Sequence, residues 1–488
     1  MIVHHFFIKG IAHSSYLIGG QNKCAIVDPR RDVQVYIDAA RDMDLEITHI
    51  LETHLHADFI SGHLDLARKT GARIFAPKSA RCRFEHVPLA EGDTFRLEDM
   101  KFSVLETPGH TPEHISYGVT DTARGKDPVA VFCGDTLFVG DVGRPDLFPG
   151  MAEKLASKLY DSLFAKLLKL PDFCEVYPAH GAGSLCGRAM AAKRTSTIGY
   201  EKKYNDALQI KDRVKFIRSL TSDMPPAPDH FSRCSEINRR GPNIVEDLPP
   251  MEGWKPRVFA RKIKGKNVII LDVRSYSAFG GQHLGGSTAI DSGGNFATFA
   301  GWVLPPQADI ALVAEDRKQA EEAVVWLRRV GLDRVKGFME GSLFAWSREG
   351  LPVEHVPQLS AQELHGMIKK GEKMTIVDVR SPNEFAGTYI EGAVNIPAPD
   401  LRTKYKTLKK DIPVILICST GHRSSLGASL LKQHGFWDVR NVAGGMTGYS
   451  AAGFSKECRL CFNPHGPHFM GQWSSLKMMQ KMAEPFKA

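Results

Sequence analysis

Two imidazoles and a carboxylate stand within five residues in Thr53-His54-Leu55-His56-Ala57-Asp58. The residues before them, Ile47 to Leu51, form an apolar run of the kind found in buried strands, and a helical pattern with Leu64, Leu66 and Ala67 follows Ser61-Gly62. Ligand-type side chains at the end of a strand and just before a helix are where an α/β fold builds a metal site. Three more pieces follow in order: Pro108-Gly109-His110-Thr111, Cys133-Gly134-Asp135-Thr136 and Pro178-Ala179-His180-Gly181. Each is a short apolar segment that delivers one His or Asp to a turn. Isolated loop histidines commonly cap helices, but four such pieces in order point to a metal centre. A second kind of chemistry is written near the far end. Val414-Ile-Leu-Ile-Cys418-Ser-Thr-Gly-His422-Arg423-Ser424-Ser425 reads as a buried strand, a short loop and a helix start. Backbone N–H groups at such a turn favour an anion, so the Cys418 thiolate is stabilised and nucleophilic, and Arg423 adds positive charge.

The four ordered His/Asp motifs resemble the metallo-β-lactamase superfamily over about the first half of the chain, which implies an αββα fold. Two-metal hydrolases of that superfamily carry a further His directly after the Asp of the first motif. Here that place is Phe59. A phenyl ring cannot bind a cation, so the second metal is expected to be weak or absent. His54, His110 and Asp135 remain, two imidazoles and one carboxylate with open positions, a set that suits one non-haem Fe(II). Within the superfamily this resembles the persulfide dioxygenases. The resemblance implies those three residues as iron ligands and Arg144, in Gly143-Arg144-Pro145-Asp146, as a clamp for a substrate carboxylate. It also implies oxidation of a low-molecular-weight persulfide, glutathione persulfide by default, by O2 to sulfite and thiol. His56, Asp58 and His180 are expected to orient the ligands through hydrogen bonds, and Asp28 to support them or serve structure alone.

The Cys418 loop resembles that of rhodanese sulfurtransferases, whose cysteine carries a sulfane sulfur. Asp378 and Arg380 match the family's DVR segment, and Glu384-Phe385 with Gly392 to Pro397 match its next motif, while Tyr389 replaces a common His. The resemblance implies Cys418 and Arg423 as catalytic and His422 and Ser424 as substrate-binding, with sulfite and thiosulfate as partners. An earlier stretch repeats this unit. Val268 to Ser275 returns as Met374 to Ser381, and His283-Leu-Gly-Gly286 returns as Tyr389-Ile-Glu-Gly392. In that earlier copy Ala314 falls where Cys418 stands, and Glu315 and Asp316 follow it. It is expected to be catalytically silent and to pack or position its neighbours.

These motifs need elements to hold them. At 488 residues the chain requires several cores. Short strands with Gly turns (Phe6 to Ile8, Tyr16 to Gly19, Cys24 to Asp28), a helix from Val33 to Asp42 and a long helix from Met151 to Leu170 are expected in the first unit. The expected fold class is α/β: an αββα unit at 1–240, a Pro-rich linker at 241–256, then two α/β rhodanese-like units with parallel sheets at 257–355 and 356–454. A tail at 455–488 carries Cys458, Cys461, His465 and His468, which read as a docking tail before a zinc site. Nine scattered cysteines suit a reducing compartment, so a cytoplasmic location is expected. No apolar run is of membrane-spanning length, and the N-terminus lacks the pattern of a secretory signal. A net charge of +8 with acids interspersed describes solvated faces and not a nucleic-acid footprint. A homo-oligomer is expected. Two rival readings remain: a zinc thioester hydrolase of the glyoxalase II kind fused to a sulfurtransferase, and a persulfide sensor or relay without turnover at the first unit.

Overall fold

The structure, a computed structural model, describes residues 1–188, 190–222, 224, 227–265 and 267–455. The tail cysteines and histidines at 458, 461, 465 and 468 therefore lie outside the described residues. Two six-stranded sheets make the first unit. One contains β1 (Ile2–Ile8), β2 (His13–Gly19), β3 (Lys23–Val27), β4 (Glu46–Leu51), β5 (Arg73–Pro77) and β6 (Val87–Leu89) in consecutive order. The other contains β7 (Thr94–Leu97), β8 (Met100–Glu106), β9 (Ile115–Asp121), β10 (Ala130–Gly134), β11 (Glu175–Pro178) and β12 (Ser196–Thr197), also as neighbours in turn.

Strands buried on both faces should read as continuous apolar runs, and Ala130-Val-Phe-Cys-Gly134 is buried at every residue. Tyr16, Val27 and Leu51 of one sheet pack against Phe102, Val104 and Phe132 of the other. Helices cover the outer faces. Gln34–Asp42 and His63–Thr70 seat Tyr36 and Leu66 on the first sheet, and Ala152–Asp161 with Arg213–Thr221 seat Ala156, Leu159 and Phe216 on the second. The result is the αββα sandwich expected. The helix expected from Met151 to Leu170 is divided: after Asp161 the backbone widens into a π turn at Ser162–Lys166 and tightens into a 3₁₀ turn at Leu167–Lys169. Ser162 Oγ at that junction donates to the carbonyl of Pro108 at 2.7 Å, which ties the helix to the turn carrying His110.

Two five-stranded sheets follow. β13 (Glu252–Trp254), β14 (Val268–Asp272), β15 (Thr288–Ala289), β16 (Asp309–Val313) and β17 (Val335–Met339) stand in the order β13-β17-β16-β14-β15. β18 (Gln358–Leu359), β19 (Thr375–Asp378), β20 (Val394–Asn395), β21 (Val414–Ile417) and β22 (Val439–Val442) stand in the corresponding order β18-β22-β21-β19-β20. All pairings in both are parallel. The repeat in sequence is thus a repeat in topology. It extends to side chains: Arg274 forks onto Asp272 and donates to the carbonyl of Gln282, as Arg380 does with Asp378 and Thr388.

The stretch 241–256 is not a free linker. Residues Glu252–Trp254 pair with β17 as an edge strand, because Trp254 buries against Phe259 and Met339. Just before it, the helix His230–Arg240 lies on the first unit, where Asn238 Nδ2 donates to the carbonyls of His56 and Phe59 at 2.9 and 2.8 Å. The middle unit is anchored on the first by two forked pairs, Arg31 with Asp333 and Arg329 with Asp32. Among the described residues no helix is long and apolar enough to cross a membrane.

Candidate metal centre and cysteine loop

β8, β10 and β11 run in the same direction, so their C-terminal ends share one edge, and β4 ends beside it. His110, Asp135, His180 and His54 leave from those four ends. Ligand atoms of His54, His110 and Asp135 all lie within 4.8 Å of one another, fully buried. Asp135 Oδ2 is 3.8 Å from His54 Nε2 and 3.3 Å from His110 Nε2.

Hydrogen bonds at the opposite ring nitrogens set the tautomers. Thr53 Oγ1 donates to Asp28 Oδ2 at 2.8 Å, so its lone pair is left to accept from His54 Nδ1 at 2.8 Å. His110 Nδ1 donates to the carbonyl of Arg144 at 3.0 Å. Both Nε2 lone pairs therefore point inward, and neither buried Nε2 has a hydrogen-bond partner. Burial holds His54 well below its ordinary pKa, and burial with neighbouring His180 lowers His110 as well, so both rings are neutral. Asp135 is held below the usual carboxylate range: burial opposes its charge, but His180 and His110 outweigh that. Two neutral imidazoles with unpartnered lone pairs and one carboxylate fit a divalent cation.

The other expected residues fall around this triad. His56 turns away, with Nε2 3.2 Å from Asp28 Oδ1, and groups with Asp28 and Glu52. His180 lies between two carboxylates, Nδ1 at 2.8 Å from Asp135 Oδ1 and Nε2 at 2.9 Å from Asp58 Oδ2. Burial works against its charge, but Asp135 and Asp58 carry its pKa well above the ordinary value. Asp58, His180 and Cys186 form a further close group of ligand-type atoms. Phe59 is wholly buried, its ring 4.4 Å from that of His56 and 4.1 Å from that of His13, and it belongs to an apolar cluster with Ile8, Ile11 and Leu332.

Arg144 was expected to clamp a substrate carboxylate. Its fork is engaged inside the protein: Nε and Nη2 donate to Asp146 at 2.7 Å each, and Nη1 donates to the carbonyl of Leu185. At 1% exposure it fixes the loop whose carbonyl orients His110. Two supporting residues were not anticipated. His114 Nε2 accepts the N–H of Asp135 at 2.9 Å, and its ring stacks on His54 at 4.8 Å. Gly134, at φ +49°, must be glycine there, because a Cβ would lie 2.4 Å from His114 Nε2. Asn238 fixes the carbonyls of His56 and Phe59, and no motif marks it. The second His of Pro108-Gly-His-Thr-Pro-Glu-His114 was the available signal for the first of them.

At the far end, Cys418 follows β21 and is 1% exposed. Its Sγ accepts from the Gly421 N–H at 3.1 Å and from Ser424 Oγ at 3.2 Å, at the start of the helix His422–Gln433. Arg423 does not aim at the sulfur. It forks onto both oxygens of Glu384 at 2.7 Å and donates to Ser419 Oγ, so it holds the loop's shape. His422 pairs through Nδ1 with Asp291 of the middle unit at 3.0 Å. In the middle unit only Ala314, Glu315 and Asp316 separate β16 from the next helix, and Asp316 caps that helix with its own carboxylate, 2.8 Å from Gln319 N. An internal carboxylate thus occupies this helix start in the middle unit, where the corresponding loop after β21 carries Cys418 instead.

Two family models match parts of the chain. Residues 8–180 match the model of the metallo-beta-lactamase superfamily, and residues 360–452 match that of the rhodanese-like domain. A hydroxyacylglutathione hydrolase of Pseudomonas entomophila is 35% identical over 216 residues, 44% of this chain and 79% of the relative. One from Aliivibrio fischeri is 36% identical over 225 residues, 44% of this chain and 80% of the relative. A crystal structure of a metallo-beta-lactamase from Staphylococcus aureus aligns with a TM-score of 0.62 at 35% identity, over 70% of this chain and 98% of that one.

Proposed function

The chain belongs to the metallo-beta-lactamase superfamily and carries a rhodanese-like domain at 360–452, and from that premise we propose that it oxidises a small persulfide with O2 and moves sulfane sulfur through Cys418. The observation that supports this most is the separation of ligands: His54, His110 and Asp135 converge, while His56 faces Asp28 and the buried Phe59 ring stands where another donor would be. This separation favours one ion, held by the His54–His110–Asp135 triad. Ferrous iron held by that triad supplies the dioxygen activation that no side chain can provide. The chain's own residues do the rest. Thr53 and the Arg144 carbonyl keep the two imidazoles in their ligating tautomers, and His180 balances the charge of Asp135. The overall reaction is R-S-SH + O2 + H2O → R-SH + SO3²⁻ + 2 H⁺, and glutathione persulfide is the substrate the family resemblance favours.

At the second site the Cys418 thiolate attacks the outer sulfur of thiosulfate. The S–S bond breaks, sulfite leaves with the electron pair, and Cys418 holds a persulfide. A thiolate acceptor then attacks that outer sulfur, giving R-S-S⁻ and restoring the Cys418 thiolate. Gly421 N–H and Ser424 Oγ stabilise the thiolate as nucleophile and as leaving group. Run in either direction, this reaction exchanges sulfite and persulfide with the oxygen-dependent site, so one chain raises the local concentration of the shared intermediates. The middle unit, with Ala314 and Asp316 in its loop, is read as a rhodanese-like copy without sulfurtransferase activity.

The curated relatives named hydroxyacylglutathione hydrolase favour a second reading, a thioester hydrolase with zinc in the first unit. Metal analysis with O2 uptake separates the two. About one iron per chain and roughly one sulfite per O2 consumed with glutathione persulfide are expected, with both lost in His54→Ala. A zinc pair and thioester hydrolysis without O2 uptake would leave the hydrolase reading standing.

A further inference from the structure

The helix that starts beside Cys418 is held along one face by the middle unit, which has no reactive cysteine in its own loop. His422 Nδ1 pairs with Asp291 at 3.0 Å. Two and three turns further on, Ser429 Oγ accepts the N–H of Ala289 at 3.0 Å, and Gln433 Nε2 donates to Thr288 Oγ1 at 2.9 Å and the carbonyl of Gly286 at 3.1 Å. Positions 422, 429 and 433 recur at the helical period, so they share a face. Leu426 and Leu430 of this helix belong to one apolar cluster with Phe279 and Ile290 of the middle unit.

The contact is closest at the reactive loop. Gly421, at φ +107°, has the ring of Tyr276 so near that a Cβ would lie 3.0 Å from Cε2 and Cζ. The rings of Tyr276 and His422 meet edge to face at 5.0 Å. Asp291 is itself fixed: its Oδ2 accepts from the Tyr276 N–H at 3.2 Å and its Oδ1 from the Gly293 N–H at 2.8 Å. Burial opposes its charge, yet the bonds from His422 and Gly293 hold its carboxyl below the ordinary range. A fixed, ionised carboxylate is therefore aimed at the imidazole of the cysteine loop. At 38% exposure the His422 side chain remains open to solvent and to an arriving anion.

We propose that Asp291 and Tyr276 of the middle unit are positioning residues of the Cys418 sulfurtransferase site, holding His422 and the Gly421 turn in the arrangement that receives an oxyanionic sulfur donor. Asp291 keeps the His422 ring oriented. Tyr276 supports the turn whose N–H bonds Cys418 Sγ. This rests on the reading of Cys418 as a sulfur carrier. The cysteine-less copy is then a working part of its neighbour's site.

The test is steady-state transfer from thiosulfate to cyanide by the full chain, followed as thiocyanate. Asp291→Asn removes the charge but keeps the size. It is expected to raise the KM for thiosulfate about tenfold, the scale of one hydrogen bond to a charged group, and to change kcat less than about twofold, because the Gly421 and Ser424 contacts to Cys418 persist. Asp291→Glu is expected to recover part of the loss. Tyr276→Leu, an independent variant in case the first fails to fold, is expected to raise the same KM. Values within about twofold of the parent for the folded variants would overturn the proposal. So would a fall in kcat alone with KM unchanged, since that describes support of the fold only. Cys418→Ser is the separate control: if it still forms thiocyanate, the sulfur-carrier reading fails, whatever the Asp291 variants do.

Discussion

A buried histidine binds a metal only if its other nitrogen is told which tautomer to hold, and here that instruction comes from Asp28 through Thr53 to His54. Asp28 sits at φ +49°, a conformation unusual for a non-glycine residue, with both carboxylate oxygens used on Thr53. Thr53→Val keeps the side-chain shape and removes the relay. Metal affinity is expected to fall about 10- to 100-fold, the usual effect of removing a partner behind a ligand, as read by competition with a chelator. Phe59 is the other decisive residue. In Phe59→His a donor replaces the ring beside Asp58 and His180. Bound metal is expected to rise from about one to about two per chain, with thioester hydrolysis appearing and O2-dependent sulfite formation falling. No second equivalent in the folded variant would show that the ring is not what excludes it. Placing a polar ring in that apolar cluster costs about 1–3 kcal/mol, so the unfolding midpoint should drop as well.

At the scale of elements, the loop between β21 and the helix His422–Gln433 is braced by the preceding motif. Glu384 accepts both arms of Arg423 and caps the helix Pro382–Gly387 through Ser381. Burial alone would raise its pKa, but Arg423 and Ser381 hold it down at about 2. A carboxyl with a depressed folded-state pKa stabilises the fold above its unfolded value, near 4.5, and that contribution is lost as pH falls toward 2. Glu384→Gln is expected to cost about 1–3 kcal/mol at neutral pH. The gap between variant and parent should close as pH is lowered from 4.5 toward 2. A gap that stays constant over that window, measured by denaturant unfolding, would mean that the charge on Glu384 is not what braces the loop. The asymmetry between the two repeats belongs to this scale too. The DVR pairs Asp272–Arg274 and Asp378–Arg380 are alike, yet one repeat turns through three residues into a self-capped helix and the other presents Cys418.

Across the whole molecule, the middle unit touches both sites. The carbonyl of Arg329 accepts the N–H of Ile60 at 2.6 Å, beside Phe59, while Tyr276 and Asp291 lie against the Cys418 loop. Arg31 is the deepest ion across the first interface, 2% exposed at its side chain and forked onto Asp333. Asp333→Ala leaves that guanidinium buried without its carboxylate and is expected to cost about 3–5 kcal/mol at the interface. Calorimetry should then resolve the first unit from the other two as separate transitions. A single unshifted transition would mean that the apolar cluster alone couples them.

The sequence by itself determined what local pattern can carry. The apolar strands, the four His/Asp turns, the repeat and the loss of its cysteine at Ala314 are written in short contiguous segments, and strand period and turn chemistry are local properties. It also singled out His54, His110, Asp135 and Cys418 as candidates, because such side chains at strand ends stand out from a core, and the first three converge in the structure. Partnership over long separations was decided only by the tertiary structure. That Arg144 is consumed by Asp146, that Asn238 reaches back to Phe59, and that Asp291 meets His422 depend on where sheets and helices pack. An arginine carries the same five donors whether it meets substrate or its own chain, and only the folded geometry supplies the acceptor.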